Sequence, residues 1–168
     1  LADFLTIKDE FRTLEDLVLT FIGDGNNVAN SLILCSAILG VKIRIACPKG
    51  YEPNHLIIEE ALAINKNSLE IYNDPIAASH KTNVLYTDVW SSMGEEKNKE
   101  NKDKDFEGFS INQNIVDQAD QKAIILHCLP AYRGKEIDDE IIECDQSRIF
   151  NQAENRMHVQ QALISCLL

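Results

Sequence analysis

The chain has 168 residues, of which 45% are hydrophobic and 26% charged, enough for one domain that buries roughly 70% of its unfolded surface. Sixteen basic residues against 27 acidic ones leave a net charge of −11, which a nucleic-acid backbone and an anionic membrane surface would both repel. The five cysteines, at 35, 47, 128, 144 and 166, form no Cys-x-x-Cys pair, so neither a disulfide framework nor a zinc knuckle is expected and a reducing, cytoplasmic setting is the simplest account.

In chain order, residues 1–7 carry apolar side chains at helical spacing from the first position with no capping residue ahead, which predicts a helix already under way and a larger parent protein. There is no basic segment followed by an apolar core, and no apolar run approaches about 18 residues. Residues 17–22 form the first short apolar run, rich in Leu, Val and Ile, as strands buried on both faces are. Asn27–Leu39 follows as a helix with Val28, Leu32, Cys35 and Leu39 on its expected apolar stripe. A second strand is predicted at 41–46 and a helix at 53–65, with a less regular stripe of Leu56, Glu60 and Ala63. The third strand is Leu69–Tyr72, and Asp74-Pro75 opens a helix with Asp as cap and Pro in the first turn. Val84–Thr87 is the fourth strand, 123–127 the fifth, and 153–168 a closing helix. Residues 95–105 contain no apolar side chain; they predict a solvated loop, an exposed helix or a mobile lid. The alternation implies an α/β fold: a single domain with a Rossmann-like doubly wound sheet of about five parallel strands flanked by helices. Ligands of such sheets bind beyond the carboxyl ends of the strands.

Four segments near strand ends or helix starts carry candidate chemistry. Gly23-Asp24-Gly25-Asn26-Asn27 follows the first strand, but a dinucleotide fingerprint would need glycine where Val28 stands. Its two asparagines instead offer amides at a helix N-terminus, where a carboxylate is favoured. Asp88-Val89-Trp90-Ser91-Ser92-Met93-Gly94 places a carboxylate just past the fourth strand, where it can meet an amine. His127-Cys128-Leu129-Pro130 ends the fifth strand; it lacks partners at metal spacing, and no other histidine is singled out as a base. Ala153-Glu154-Asn155-Arg156 sets an arginine fork at the expected start of the last helix. Taken singly, each of these also reads as a turn, a cap, a buried small side chain or an exposed salt bridge.

Together and in this order, the four segments resemble the ornithine carbamoyltransferase family. Asp24-Gly25-Asn26-Asn27-Val28-Ala29-Asn30-Ser31 is similar to the first loop of its carboxyl-terminal domain, and Pro48-Lys49-Gly50-Tyr51-Glu52-Pro53 to the next strand–helix junction. Asp88 with Ser92-Met93-Gly94 resembles its ornithine loop, His127-Cys128-Leu129-Pro130 its signature, and Ala153-Glu154-Asn155-Arg156 its last active-site arginine. The resemblance implies an ornithine-binding domain over 1–168, with 1–14 part of the interdomain linking helix. The family's Ser-x-Arg-Thr loop for carbamoyl phosphate has no counterpart, since the one Arg-Thr pair, Arg12-Thr13, follows Glu10-Phe11. The expectation is therefore that the amino-terminal carbamoyl-phosphate domain is missing and that the isolated chain is inactive.

The resemblance further implies transfer of a carbamoyl group from carbamoyl phosphate to the δ-amine of L-ornithine, giving citrulline and phosphate, without metal or organic cofactor. Asn27 would bind the α-carboxylate, Asp88 the α-ammonium, and Ser92 with the Met93 backbone would complete that grip. Cys128 would orient the δ-amine and aid loss of its proton without acting as a covalent nucleophile. The Cys128 and Leu129 carbonyls would accept from the carbamoyl NH2, and Arg156 would polarise the carbamoyl oxygen. Implied partners are the two substrates, the missing domain and two further subunits of a trimer. Rival readings are a carbamoyltransferase for another amine, a non-catalytic amino-acid-binding domain, and, last, a dinucleotide-binding domain.

Overall fold

Short apolar runs separated by helical segments become one parallel sheet covered on both faces. The computed structural model describes residues 1–91 and 99–168, with only the backbone of Lys99 and Glu100 included. Its elements are α1 (Ala2–Phe11), β1 (Val18–Ile22), α2 (Asn27–Leu39), β2 (Lys42–Ala46), α3 (His55–Ile64), β3 (Leu69–Tyr72), α4 (Pro75–Ser79) and β4 (Val84–Thr87). After β4 come α5 (Lys99–Asp105), α6 (Gln113–Val116), β5 (Ile124–His127), α7 (Asp139–Ile142) and α8 (Ile149–Leu167). All five strands lie within a residue of the expected runs, and they are parallel in the order β3-β2-β1-β4-β5. The chain winds outward from β1 to β3, then returns to lay β4 along the free edge of β1. That reversal leaves a crevice between the carboxyl ends of β1 and β4.

Alternate residues of each strand face opposite layers. Leu19, Phe21, Ile43, Ile45, Tyr86 and Leu126 join Phe4, Ile7 and Ile33 on one face, while Ile22, Leu85 and Ile125 meet Phe106, Ile111 and Ile141 on the other. Each fully buried aliphatic side chain of this kind stabilises the fold by roughly 1.5–3 kcal/mol. On the second face Thr20 is buried but satisfied, donating to the Ala78 carbonyl at 3.1 Å. Among the described residues no helix is long and apolar enough to cross a membrane.

Three expectations about helix faces and ends need correction. In α2 the buried residues are Ala29, Leu32, Ile33, Ser36 and Ala37, so of the expected stripe only Leu32 is buried. The helix is apolar almost all round, and the tie is broken by size: Ala29, Ser36 and Ala37 let the backbone lie close to its neighbours. In α3 only Ala61 is buried, and Leu56, Glu60 and Ala63 face outward. The last helix begins at Ile149, not at 153, because Ile149 is fully buried among the residues under the sheet and Gln152 is buried at its tip. Arg156 therefore sits two turns into α8, and Glu154 is not in the first turn.

The segment 95–105 is only partly a solvated one. Within it, α5 is tied down: buried Lys102 pairs with Asp24 at 2.6 Å, Asp103 with Lys135 at 2.6 Å, and Asp105 accepts from the Tyr51 hydroxyl at 2.7 Å. A lysine stem can lie along apolar surface while its ammonium finds a carboxylate, so a run without one apolar residue still packs. Phe106, immediately after it, is fully buried against Tyr51, Trp90 and Phe109. Residues 92–98, with Ser92, Met93 and Gly94, lie outside the described residues, as does the lid expectation for 95–98.

Candidate active site at the strand tips

The β1–α2 turn is built around Asn26. Its side-chain oxygen caps α2, accepting from the Val28 and Ala29 amides at 2.9 and 3.2 Å. Its Nδ2 donates to Asp88 Oδ2 at 3.0 Å across the crevice. Asp88 leaves the tip of β4 and is 8% exposed. Its Oδ1 accepts from the Val89 amide at 2.8 Å and from the Cys128 thiol at 2.9 Å. Three loops that are 62 and 40 residues apart in sequence are thus joined through one carboxylate.

A cleft of about 370 Å³ opens beside this junction, lined by Asn27, Cys128 and Arg156 together with Asp3, Tyr86 and Gln152. Asn27, the first residue of α2, is exposed and free to meet a ligand near the helix N-terminus. Arg156 reaches the cleft from α8 and is exposed; among the described residues no hydrogen bond or ion pair holds its guanidinium. Leu129 follows Cys128 with a left-handed φ of 56° and a cis peptide to Pro130. Of the residues singled out from sequence, Asn27, Asp88, Cys128, Leu129 and Arg156 gather at one end of the sheet, while Ser92 and Met93 lie outside the described residues.

Burial, then the neighbouring Asp88 charge, pushes the Cys128 thiol up well beyond the usual thiol range. Its S–H donates to Asp88, an arrangement that suits a neutral thiol and not a thiolate nucleophile. Cys47, at the end of β2, is pushed up to about 12, first by burial and then by Glu52 and Asp24. Folded values above the ordinary 9.0 mean that the stabilisation from keeping these thiols neutral is complete below that pH and drains away as pH rises towards the folded values. Raising the pH from about 8 to about 10.5 is therefore expected to cost roughly 1–2 kcal/mol per thiol in urea unfolding. An unchanged midpoint would mean that both thiols are solvated.

Sequence reasoning passed over the polar floor of the cleft. Gln152 donates to Asp3 at 2.6 Å and to the Tyr86 hydroxyl at 3.1 Å, and accepts from the His127 amide at 2.9 Å. These partners come from α1, β4, β5 and α8, and no local pattern could have joined them. Asn26 belonged to the asparagine pair singled out from sequence, and its cap was legible there, whereas its bond to Asp88 was not. Asn26→Ala is expected to lower stability by about 1–2 kcal/mol by uncapping α2. Asn26→Ser, which keeps a cap, should lose less than half of that in the same denaturant titration.

A sequence model of the Asp/Orn binding domain of aspartate/ornithine carbamoyltransferases matches residues 15–167. The chain belongs to the aspartate/ornithine carbamoyltransferase family. Within the family it is 68% identical to the ornithine carbamoyltransferase of Prochlorococcus marinus subsp. pastoris and 49% identical to that of Nostoc punctiforme. Each match covers the whole chain but only 55% and 56% of the relative, so the chain spans about half the length of these curated relatives. The ornithine carbamoyltransferase of Pyrococcus furiosus superposes with a TM-score of 0.91 at 39% identity, over 98% of this chain and 53% of that one. The anabolic ornithine carbamoyltransferase of Campylobacter jejuni gives 0.90 at 42%, over 99% and 56%.

Proposed function

We propose that the protein containing this carbamoyltransferase domain transfers the carbamoyl group of carbamoyl phosphate to the δ-amine of L-ornithine, giving citrulline and phosphate. The observation that carries this reading is that Asn27, Cys128 and Arg156 line one cleft while Asp88, beside it, is joined to it through Asn26 and Cys128. The neutral δ-amine forms a bond to the carbamoyl carbon, the carbon–oxygen bond to phosphate breaks, and the proton lost by the amine passes to the departing phosphate.

In this reading Asn27 binds the α-carboxylate, and Asp88 takes the α-ammonium together with Ser92 and the Met93 backbone. Cys128 keeps its proton; its S–H fixes Asp88, which orients the diamino acid, and the proton of the amine goes to the departing phosphate. The Cys128 and Leu129 carbonyls receive the carbamoyl NH2, and Arg156, uncommitted to any described partner, polarises the carbamoyl oxygen as charge grows there. Bringing the amine to the carbamoyl carbon supplies effective concentration, worth up to roughly 7–11 kcal/mol. No metal or organic cofactor enters. An unacylated α-amine suits Asp88, which favours ornithine over acylated or simple diamines.

The sequence has no Ser-x-Arg-Thr loop to hold phosphate, so the reaction requires the remaining half of the protein, with α1 as part of the link between halves. A trimeric, cytoplasmic enzyme of arginine synthesis or breakdown is the matching biological setting, and five unpaired thiols favour a reducing compartment. The full-length protein is expected to form citrulline from the two substrates, and the 168-residue chain alone to form none. No citrulline from the full-length protein would leave a non-catalytic amino-acid-binding domain as the better reading, and turnover by the chain alone would overturn the division of labour.

A further inference from the structure

His127 and Glu136 are the most deeply buried ionisable pair in the described residues, with side chains 0% and 1% exposed, and nothing in the reaction above uses them. The Leu129 amide donates to His127 Nδ1 at 2.9 Å, so that nitrogen is the acceptor and the ring proton sits on Nε2, 3.2 Å from Glu136 Oε1. The same carboxylate oxygen also accepts from the Tyr132 amide. The loop that leaves β5 is thereby held at both ends: Leu129 on the imidazole and Tyr132 on the carboxylate that fixes the imidazole. Leu129 has φ of 56°, a region that a branched side chain rarely occupies without a compensating contact, and the bond from its own amide to Nδ1 supplies one.

We infer that His127, oriented by Glu136, is a positioning residue for the carbamoyl side of the site: it sets the peptide planes that carry the Cys128 and Leu129 carbonyls. The inference rests on the reading of those carbonyls as the carbamoyl acceptors.

Two amide substitutions separate the two ring nitrogens. Asparagine places its side-chain oxygen where Nδ1 stood and keeps an acceptor for Leu129; glutamine reaches the Nε2 position and leaves that amide without one. In the full-length protein, His127→Gln is expected to raise the KM for carbamoyl phosphate about tenfold, with a smaller change for ornithine. His127→Asn should stay within about threefold of the parent. Glu136→Gln retains an oxygen acceptor, and with it the fold, and should raise the same KM about threefold. Equal effects of Asn and Gln, or lowered melting temperatures with an unchanged carbamoyl-phosphate KM in His127→Gln and Glu136→Gln, overturn the inference and leave a structural pair. Failure of the underlying reading is distinct, because the unsubstituted protein would then make no citrulline.

Discussion

Asp88→Asn in the full-length protein is expected to raise the KM for ornithine by roughly 100-fold or more while moving the KM for carbamoyl phosphate little. The carboxylate is almost fully buried at the tip of β4, and both of its oxygens already accept hydrogen bonds, from Asn26, Val89 and Cys128. An asparagine there removes the charge that, in the proposed function, meets an α-ammonium. It also turns one acceptor into a donor, so either Asn26 Nδ2 or the Cys128 thiol faces a donor rather than an acceptor. Loss of a partner to a desolvated charge costs about 2–5 kcal/mol, which is why the effect should exceed that of any single uncharged contact. The separation of the two KM values is the decisive measurement. An ornithine KM within about threefold of the parent would reduce Asp88 to a loop tie, at odds with a buried-charge role.

Gly25→Ala is expected to destabilise the chain by about 3 kcal/mol or more, the largest structural effect of a single methyl here. A Cβ at Gly25 would lie 2.4 Å from Pro53 N, 2.5 Å from the Glu52 carbonyl carbon and 2.6 Å from the Tyr51 oxygen. All three are backbone atoms, so no side chain can rotate away. The Gly25 amide also donates to that same Tyr51 oxygen at 2.9 Å, holding the two loops in contact. Forcing them apart displaces Asn26, and with it the α2 cap and the bond to Asp88. Gly40→Ala provides the contrast. Gly40 ends α2 with φ of 75°, and an added methyl carbon there would meet nothing within 4 Å, so only the left-handed backbone cost of about 1 kcal/mol applies. Chemical denaturation of both variants tests the difference, and equal losses would show that the contact with 51–53 can relax.

The sequence by itself determined the sheet. Runs such as 84–87 and 123–127 are short and mostly apolar, as strands buried on both faces are, and all five fall within a residue of where the pattern puts them. It also singled out loops that the fold brings to one end of the sheet, because Asn27, Asp88, Cys128 and Arg156 each sit just beyond a strand or on a helix that returns to the strand tips. The tertiary structure alone decided helix faces, helix starts and the supporting partners. Periodicity cannot choose a face for α2 when nine of its 13 side chains are apolar and spread round the helix, and the residues buried against neighbouring elements include Ala29 and Ser36, while Val28 and Cys35 are only partly buried. The start of α8 at Ile149 follows from a pocket under the sheet that no local signal announces. Gln152, His127 with Glu136, and Lys102 with Asp24 owe their importance to partners 9 to 149 residues away. Hydrogen bonds across such distances depend on the finished fold, because only burial makes an unpaired polar group costly enough to select its partner.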